Sequence, residues 1–295
     1  MTDAATMKGK LCVITGATSG IGLVAAERLA GLGARLLLIG RDQARGEAAL
    51  ARIRRGAPKG ELAIRYADLS RLSEMKRLAA EISASEPRID VLINNAGAMF
   101  TSRTVTEDGL ERTFALNHMA YFVLANGLKD RLAAAAPSRI VSVASEAHRG
   151  NTFDFTDLQA ASAYRSSQLM RPAGFTVYGR SKLANILFTR ELARRLSGTG
   201  ITANCLHPGF VASRFGDNNA GAFRLALGLA KRFFALTPEQ GAETVVYLAA
   251  SPEVAEVTGG YFDKRRQRQP STAAQDDAAA RRLWEESVRI AGMPG

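Results

Sequence analysis

Tyr178 and Lys182 stand four residues apart in the stretch Val177-Tyr178-Gly179-Arg180-Ser181-Lys182-Leu183-Ala184-Asn185. Residues at i and i+4 share one face of a helix, so a helix here would hold a phenol beside an ammonium. A free tyrosine has a pKa of about 10 and is a poor acid–base group near neutrality. A neighbouring cation favours the phenolate and lowers that value. Such a pair is equipped to move a proton to or from an alcohol oxygen. The same spacing also describes an ordinary surface pair, so the surrounding elements must decide.

Those elements alternate. Short apolar strands are expected at residues 11–15, 35–39, 62–66, 89–93, 139–143 and 201–206, and a seventh begins at Tyr261-Phe262. Helices are expected at 21–32, 43–54, 72–83, within 107–134, and at 174–196. Such alternation predicts an α/β fold, a doubly wound parallel sheet of about seven strands between two helical layers. No internal repeat or low-complexity linker divides the chain, so residues 1–295 read as a single domain. Two segments read as insertions. One is polar and irregular, 146–172. The other, 212–236, is apolar with interspersed Arg224, Lys231 and Arg232. It is open to three readings: a packed helix, a substrate lid, or a weak contact with a membrane surface.

The chain has 295 residues, 46% hydrophobic and 23% charged, enough for a normal core. The net charge of +11 suits an anionic cofactor, an acidic surface, or plain solvated arginine. No aromatic–basic stripe supports nucleic acid as a partner. Cys12 and Cys205 each lie in an apolar run, with no CxxC or zinc spacing, so no disulfide framework and no metal is expected. There is no signal-like apolar N-terminus and no run of about 20 apolar residues. A cytoplasmic setting without a transmembrane segment is expected.

Thr15-Gly16-Ala17-Thr18-Ser19-Gly20-Ile21-Gly22 follows the first strand and opens the first helix. Gly16 would allow a tight turn, Gly20 a close ligand, and Gly22 helix-on-strand packing. The free N–H groups of the helix start would suit a pyrophosphate. The spacing resembles the Thr-Gly-x-x-x-Gly-x-Gly fingerprint of the short-chain dehydrogenase/reductase superfamily. Further stations of that family occur in order: Asp68, Asn94-Asn95-Ala96-Gly97, Asn117, Ser145, the Tyr178/Lys182 pair, and His207-Pro208-Gly209.

The resemblance implies cofactor contacts from Gly16, Thr18, Ser19, Gly20, Ile21, Gly22, Arg41, Asp68, Leu69, Asn95, Ala96, Gly97, Pro208, Gly209 and Val211, with Tyr178 and Lys182 at the nicotinamide. At the end of the second strand, Gly40 takes the place of an NAD-type acid and Arg41 follows. That resembles NADP(H)-preferring members, with NAD(H) the second reading. Asp42 reads as a helix N-cap. His118 and His207 read as structural.

The implied reaction is hydride transfer between nicotinamide and a carbonyl or alcohol carbon of a small molecule. Tyr178 is the general acid/base. Lys182 lowers its pKa, Ser145 holds the substrate oxygen, and Asn117 positions a water beside Lys182. A catalytically silent dinucleotide-binding regulator on the same fold is the alternative.

Ser145 and Tyr178 are 33 residues apart, longer than is usual in the superfamily. The gap carries Ser145-Glu146-Ala147-His148 and Phe153-Asp154-Phe155-Thr156-Asp157-Leu158. With Gly260-Tyr261-Phe262 and Arg282-Leu283-Trp284 it resembles the retinol dehydrogenase and WW-domain oxidoreductase branch. That branch implies an apolar substrate of retinal, steroid or aldehyde/ketone type. Family members are often dimers or tetramers, which leaves homo-oligomerisation open.

Overall fold

Leu11–Thr15 (β1) reads Leu-Cys-Val-Ile-Thr, and all five residues are buried. A strand buried on both faces must lie inside a sheet covered on both sides. The computed structural model describes residues 6–165, 173–211 and 236–293. Around β1 it builds β2 (Arg35–Gly40), β3 (Leu62–Tyr66), β4 (Val91–Asn94), β5 (Ser138–Val143), β6 (Ile201–His207), β7 (Tyr261–Asp263) and β8 (Arg266–Arg268). The order across the sheet is β3-β2-β1-β4-β5-β6-β7-β8. Seven strands run parallel and β8 pairs antiparallel with β7. The order reverses between β1 and β4, and a crevice opens beyond the carboxyl ends of strands at such a reversal.

Each face of the sheet has its own apolar layer. On one face α1 (Gly20–Gly31), α2 (Gln43–Gly56) and a later helix, Pro238–Ala250, pack on Cys12, Ile14, Leu36 and Leu38. On the other, α3 (Leu72–Ser85), Ala120–Gly127, Ala173–Arg195 and Asp277–Ala291 pack on Val13, Leu37, Leu92 and Ile140. The helix Ala173–Arg195 carries the pair of interest. Leu183, Ile186, Leu187, Phe188 and Leu192 recur at helical spacing and are buried. Each such side chain contributes about 1.5–3 kcal/mol when removed from water. The helix is therefore held by its core face.

The sequence places the first six strands and five helical regions within a few residues of the observed bounds. Three differences have physical causes. The region expected to be helical from 107 begins at Arg112, capped by buried Glu111, whose carboxylate accepts from the N–H groups of Thr113 and Phe114. The segment after Ser145 is not wholly irregular: Glu146–His148 forms a 3-10 turn and Ala161–Arg165 a short helix. The sheet has an eighth strand, joined to β7 through Lys264 and Arg265, both left-handed (φ 49° and 63°). A two-residue hairpin of this type asks for Asn or Gly, and Lys-Arg gives no such signal. The segment 212–236 lies outside the described residues except for Leu236. At its start and end, Val211 and Leu236 form a parallel bridge.

Candidate active site

β1 ends in Thr15, which is buried and works as a junction. Its Oγ1 accepts from the backbone N–H groups of Asn95 (2.9 Å) and Ala96 (3.0 Å), tying the β4 loop to the glycine loop. Asn95 answers with its side chain, donating to the carbonyls of Thr15 (2.8 Å) and Gly16 (3.2 Å). Gly16 is left-handed (φ 65°), and a Cβ there would lie 2.9 Å from Ala96 Cα. A Cβ on Gly22 would lie 2.5 Å from both Asn95 Nδ2 and the Gly16 carbonyl oxygen. Two elements 80 residues apart thus close on each other through glycine. Ser19 is the N-cap of α1, yet its side chain makes no capping bond. The first N–H groups of α1 therefore have no side-chain cap competing with an anion.

β2 ends at Gly40, where a Cβ would meet Thr18 Cγ2 at 2.7 Å. Asp42 caps α2 by accepting from Arg45 N at 2.9 Å. Arg41 and Arg45 face the crevice and form no ion pair among the described residues. Opposite them, burial opposes charge on Asp68. The Ser70 donors (3.0 and 2.8 Å) together with Arg41 and Arg112 nevertheless hold its carboxyl below the usual range. Arg112 stacks on Phe100 with its guanidinium carbon 4.5 Å from the ring centre.

These residues line one cavity of about 930 Å³ along the carboxyl edge of the sheet. Gly16, Thr18, Ser19, Gly20, Ile21 and Gly22 line it at one side, with Arg41, Asp68 and Leu69 beyond them. Asn95, Ala96 and Gly97 form its middle. Ser145, Tyr178, Lys182, Pro208, Gly209 and Val211 close the other end. Its walls also include residues that the motif reading did not single out: Arg45, Arg112, Phe175 and Phe210. Phe175 and Phe210 are among the large apolar side chains left exposed. Arg45 had a signal, lying one helical turn after Arg41; the aromatic pair had none.

Ser145, Tyr178 and Lys182 converge although they come from β5 and from a helix 33 residues on. Tyr178 shares a hydrogen bond with Ser145, whose Oγ also accepts from Ala147 N at 3.2 Å. Lys182 Nζ donates to the Val143 carbonyl at 2.8 Å and lies 5.7 Å from the ring centres of both Tyr178 and Tyr121. The expected lowering of the phenol pKa by Lys182 is not what this geometry gives. Burial pushes the Tyr178 phenol well up, and the Ser145 hydrogen bond works against that rise. Burial also pulls Lys182 down to about 7. Both groups are driven toward their neutral forms because low-dielectric surroundings penalise either charge.

Asn117 stands behind the cavity wall. It is fully buried and does not line the cavity. It sits in a π-helical turn, Ala115–Met119, and exchanges two hydrogen bonds with the Ala98 backbone (both 2.9 Å). Its second amide hydrogen goes to Ser181 Oγ (2.9 Å), so both donors are used within the protein. Asn117 thereby locks the Gly97–Ala98 loop to the helix bearing Lys182. His118 is buried among Phe114, Phe122 and Phe188, bonded to Ser287 and pulled down to about 3 by burial. His207 accepts from Glu146 N at 3.1 Å and borders the cavity. Among the described residues no cluster of His, Cys, Asp or Glu could hold a metal, and no helix is long and apolar enough to cross a membrane.

The arrangement fits a dinucleotide. The crevice has a glycine-built helix start at one side, arginines without an ion pair among the described residues at its rim, and a buried tyrosine and lysine at its far end. Known proteins agree with that geometry. The family model for short chain dehydrogenases matches residues 10–168, and that for enoyl-(acyl carrier protein) reductases matches 157–263. Human retinol dehydrogenase 13 is 40% identical over 98% of this chain and 86% of its own length. Mouse retinol dehydrogenase 14 is 41% identical over 99% and 88%.

Among solved structures, an uncharacterised Mycobacterium paratuberculosis protein superposes with a TM-score of 0.76 at 31% identity, covering 99% of this chain and 96% of that one. Pseudomonas aeruginosa RhlG in an NADP complex gives 0.67 at 26% identity, covering 87% and 95%. The chain belongs to the short-chain dehydrogenase/reductase family, on a branch shared with the retinol dehydrogenases.

Proposed function

We propose that this protein is an NADP(H)-dependent oxidoreductase acting on the carbonyl or alcohol carbon of an apolar small molecule, with Tyr178 as general acid/base. The observation that carries this reading is the convergence of Ser145, Tyr178 and Lys182 at one end of a crevice that holds the glycine loop at the other. The bound nicotinamide supplies or takes up the hydride. The α1 start at Gly20 and the backbone of the glycine loop would hold its pyrophosphate, and Asp68 its adenine side. NADP(H) over NAD(H) is supported by Arg41 and Arg45, which form no ion pair among the described residues and follow the strand end where a 2′-phosphate would be read.

In the reductive direction Tyr178 enters as a neutral phenol. Its raised pKa keeps the proton in place until negative charge develops on the substrate oxygen. Ser145 Oγ then donates to that oxygen, stabilising the charge. Lys182, pulled to about 7 by burial, exchanges protons readily near neutrality and can recharge the phenol. Asn117 keeps the Gly97 loop against Lys182: a Cβ on Gly97 would lie 3.2 Å from Asn117 Oδ1 and 3.4 Å from Lys182 Nζ. An apolar substrate is supported by Phe175 and Phe210, exposed at the catalytic end. The cysteines, both buried and unpaired, support a reducing, cytoplasmic setting.

The test is oxidation of NADPH, followed optically, against a panel of aliphatic and aromatic aldehydes, ketones, retinal and steroids. Turnover is expected with apolar carbonyls and with NADPH ahead of NADH. Tight coenzyme binding with no turnover across the panel would instead favour the silent regulator.

A further inference from the structure

We propose that His148 is a positioning residue for Ser145, and that the C-terminal segment fixes it in the one tautomer able to do this. The inference rests on the role given above to Ser145.

The turn that follows Ser145 is held from two sides. On the helix side it presses against Gly179, the residue after Tyr178. A Cβ there would lie 2.3 Å from Asn151 Nδ2 and 2.5 Å from the Ala147 carbonyl oxygen. Glycine inside a helix costs about 1 kcal/mol against alanine, so its presence marks a close approach. On the other side three side chains of the turn reach the C-terminal segment. Glu146 Oε2 accepts from Tyr261 OH at 2.9 Å, Arg149 Nη2 donates to the Gln269 carbonyl at 3.0 Å, and His148 Nε2 lies 3.1 Å from Ser271 N.

The last contact decides the state of the ring. A backbone N–H can only donate, so His148 Nε2 must present its lone pair to Ser271. A neutral imidazole then carries its hydrogen on Nδ1. Nδ1 lies 2.7 Å from the Ser145 carbonyl oxygen, which can only accept. The same oxygen accepts from His148 N at 3.2 Å. The ring is fully buried and stands edge-on to Tyr261 at 5.2 Å. Burial disfavours its cationic form, which would also set a hydrogen against the Ser271 N–H. A contact spanning 123 residues thus chooses which nitrogen donates to Ser145. Fixing the Ser145 carbonyl fixes the peptide plane from which Oγ projects toward Tyr178. Small misplacements of such a group cost rate out of proportion to their size.

Ser271→Pro acts directly on that contact. Ser271 has φ −62° and ψ 158°, which proline adopts without strain, and its Oγ is buried with no hydrogen-bond partner. The substitution removes the N–H donor and sets the ring Cδ in its place against Nε2, so the imidazole loses both its donor and its seat. In the full-length protein, ¹⁵N NMR of His148 should report the Nδ1–H tautomer in the wild type and a mixture in Ser271→Pro. With NADPH and an aldehyde turned over by the wild type, kcat should fall about 5–10-fold while KM for NADPH stays within about twofold.

His148→Asn supplies an amide donor in place of Nδ1 without a tautomer to choose. It should retain more kcat than His148→Phe, and adding Ser271→Pro to it should change kcat by less than about twofold, a non-additivity expected only of coupled sites. An Nε2–H tautomer in the wild type overturns the proposal. So does an equal loss from Ser271→Pro in the His148→Asn background, or an unchanged kcat in Ser271→Pro alone. The NMR readout needs no turnover and separates this proposal from the catalytic reading. If Tyr178→Phe kept full activity, the role of Ser145 would fall while the tautomer assignment stood.

Discussion

The two ends of the crevice are built on opposite principles. At the glycine-loop end, backbone does the shaping and charge stays open: Arg41 and Arg45 are exposed with no ion pair among the described residues, and Asp68 keeps its charge through Ser70 and nearby arginines. At the catalytic end, side chains do the shaping and charge is suppressed. Tyr178 and Lys182 are 9% and 3% exposed, and burial drives both toward neutrality. Open charge attracts an anionic ligand at low cost but is weakened by salt. A buried, neutral pair binds little and exchanges protons at low cost. On the proposed function, affinity and chemistry are separated along one cavity.

If that division holds, damage at the catalytic end should cost rate and spare binding. Tyr178→Phe removes the transferable proton and keeps the ring in its packed site. Turnover should fall about 10³-fold, with NADPH affinity changed by less than about threefold by fluorescence titration. Comparable losses in both quantities would break the comparison, and full turnover would sink the assignment of the acid.

Thr15 joins the two ends, so its loss should act on the frame. Thr15→Val is nearly isosteric but leaves the N–H groups of Asn95 and Ala96 without their acceptor. An unsatisfied buried donor costs about 1–3 kcal/mol, so urea unfolding should show a loss of about 3 kcal/mol. Stability within 0.5 kcal/mol of wild type, on the scale of an ordinary surface substitution, would mean that the loops do not depend on this hydroxyl.

The legible part of this molecule was the part governed by local periodicity and by glycine. Leu11–Thr15 and the loop after it announce themselves because an apolar run and close backbone contacts restrict residue choice strongly. Asp42 was readable as a cap for the same reason. The eighth strand was hidden because Lys264 and Arg265 occupy left-handed positions with no local signal. The Pro238–Ala250 helix does carry a local signal, a capping box of Thr237 and Gln240 with Pro238 at its first position. The side-chain partners of Asn117, Ala98 and Ser181, are not legible in sequence because they are set by tertiary packing. The direction of the Tyr178 shift was misjudged for a related reason. Spacing gives proximity to Lys182, but burial outweighs proximity, and burial depends on the whole fold.

At the open end the expected effect is a change of preference. Arg41→Asp replaces a cation by an acid beside the site of the 2′-phosphate. A charge-assisted hydrogen bond contributes about 1.5–3 kcal/mol, so the NADPH-to-NADH ratio of kcat/KM should fall by about 30-fold, and less at high salt. Arg45→Ala should shift it in the same direction by a smaller factor. An unchanged ratio in Arg41→Asp would remove this residue from coenzyme choice.

The subtlest consequence of the comparison lies in stability. Burial pulls Lys182 down to about 7 in the folded protein, whereas an unfolded lysine titrates near 10.4. Between those values the unfolded chain binds more protons at this site than the folded one, so its contribution to stability rises with pH. Tyr178 acts oppositely, but only above about pH 10, where an unfolded phenol loses a proton that the folded one keeps. The window from pH 7 to 9 therefore isolates the lysine. Lys182→Met retains the apolar stem and removes the titration. Across that window the wild type should gain on the order of 1–2 kcal/mol relative to the variant in urea unfolding without coenzyme. Parallel stability curves would mean that the ammonium is solvated in the folded protein, and the catalytic end would no longer be the charge-suppressed half of the crevice.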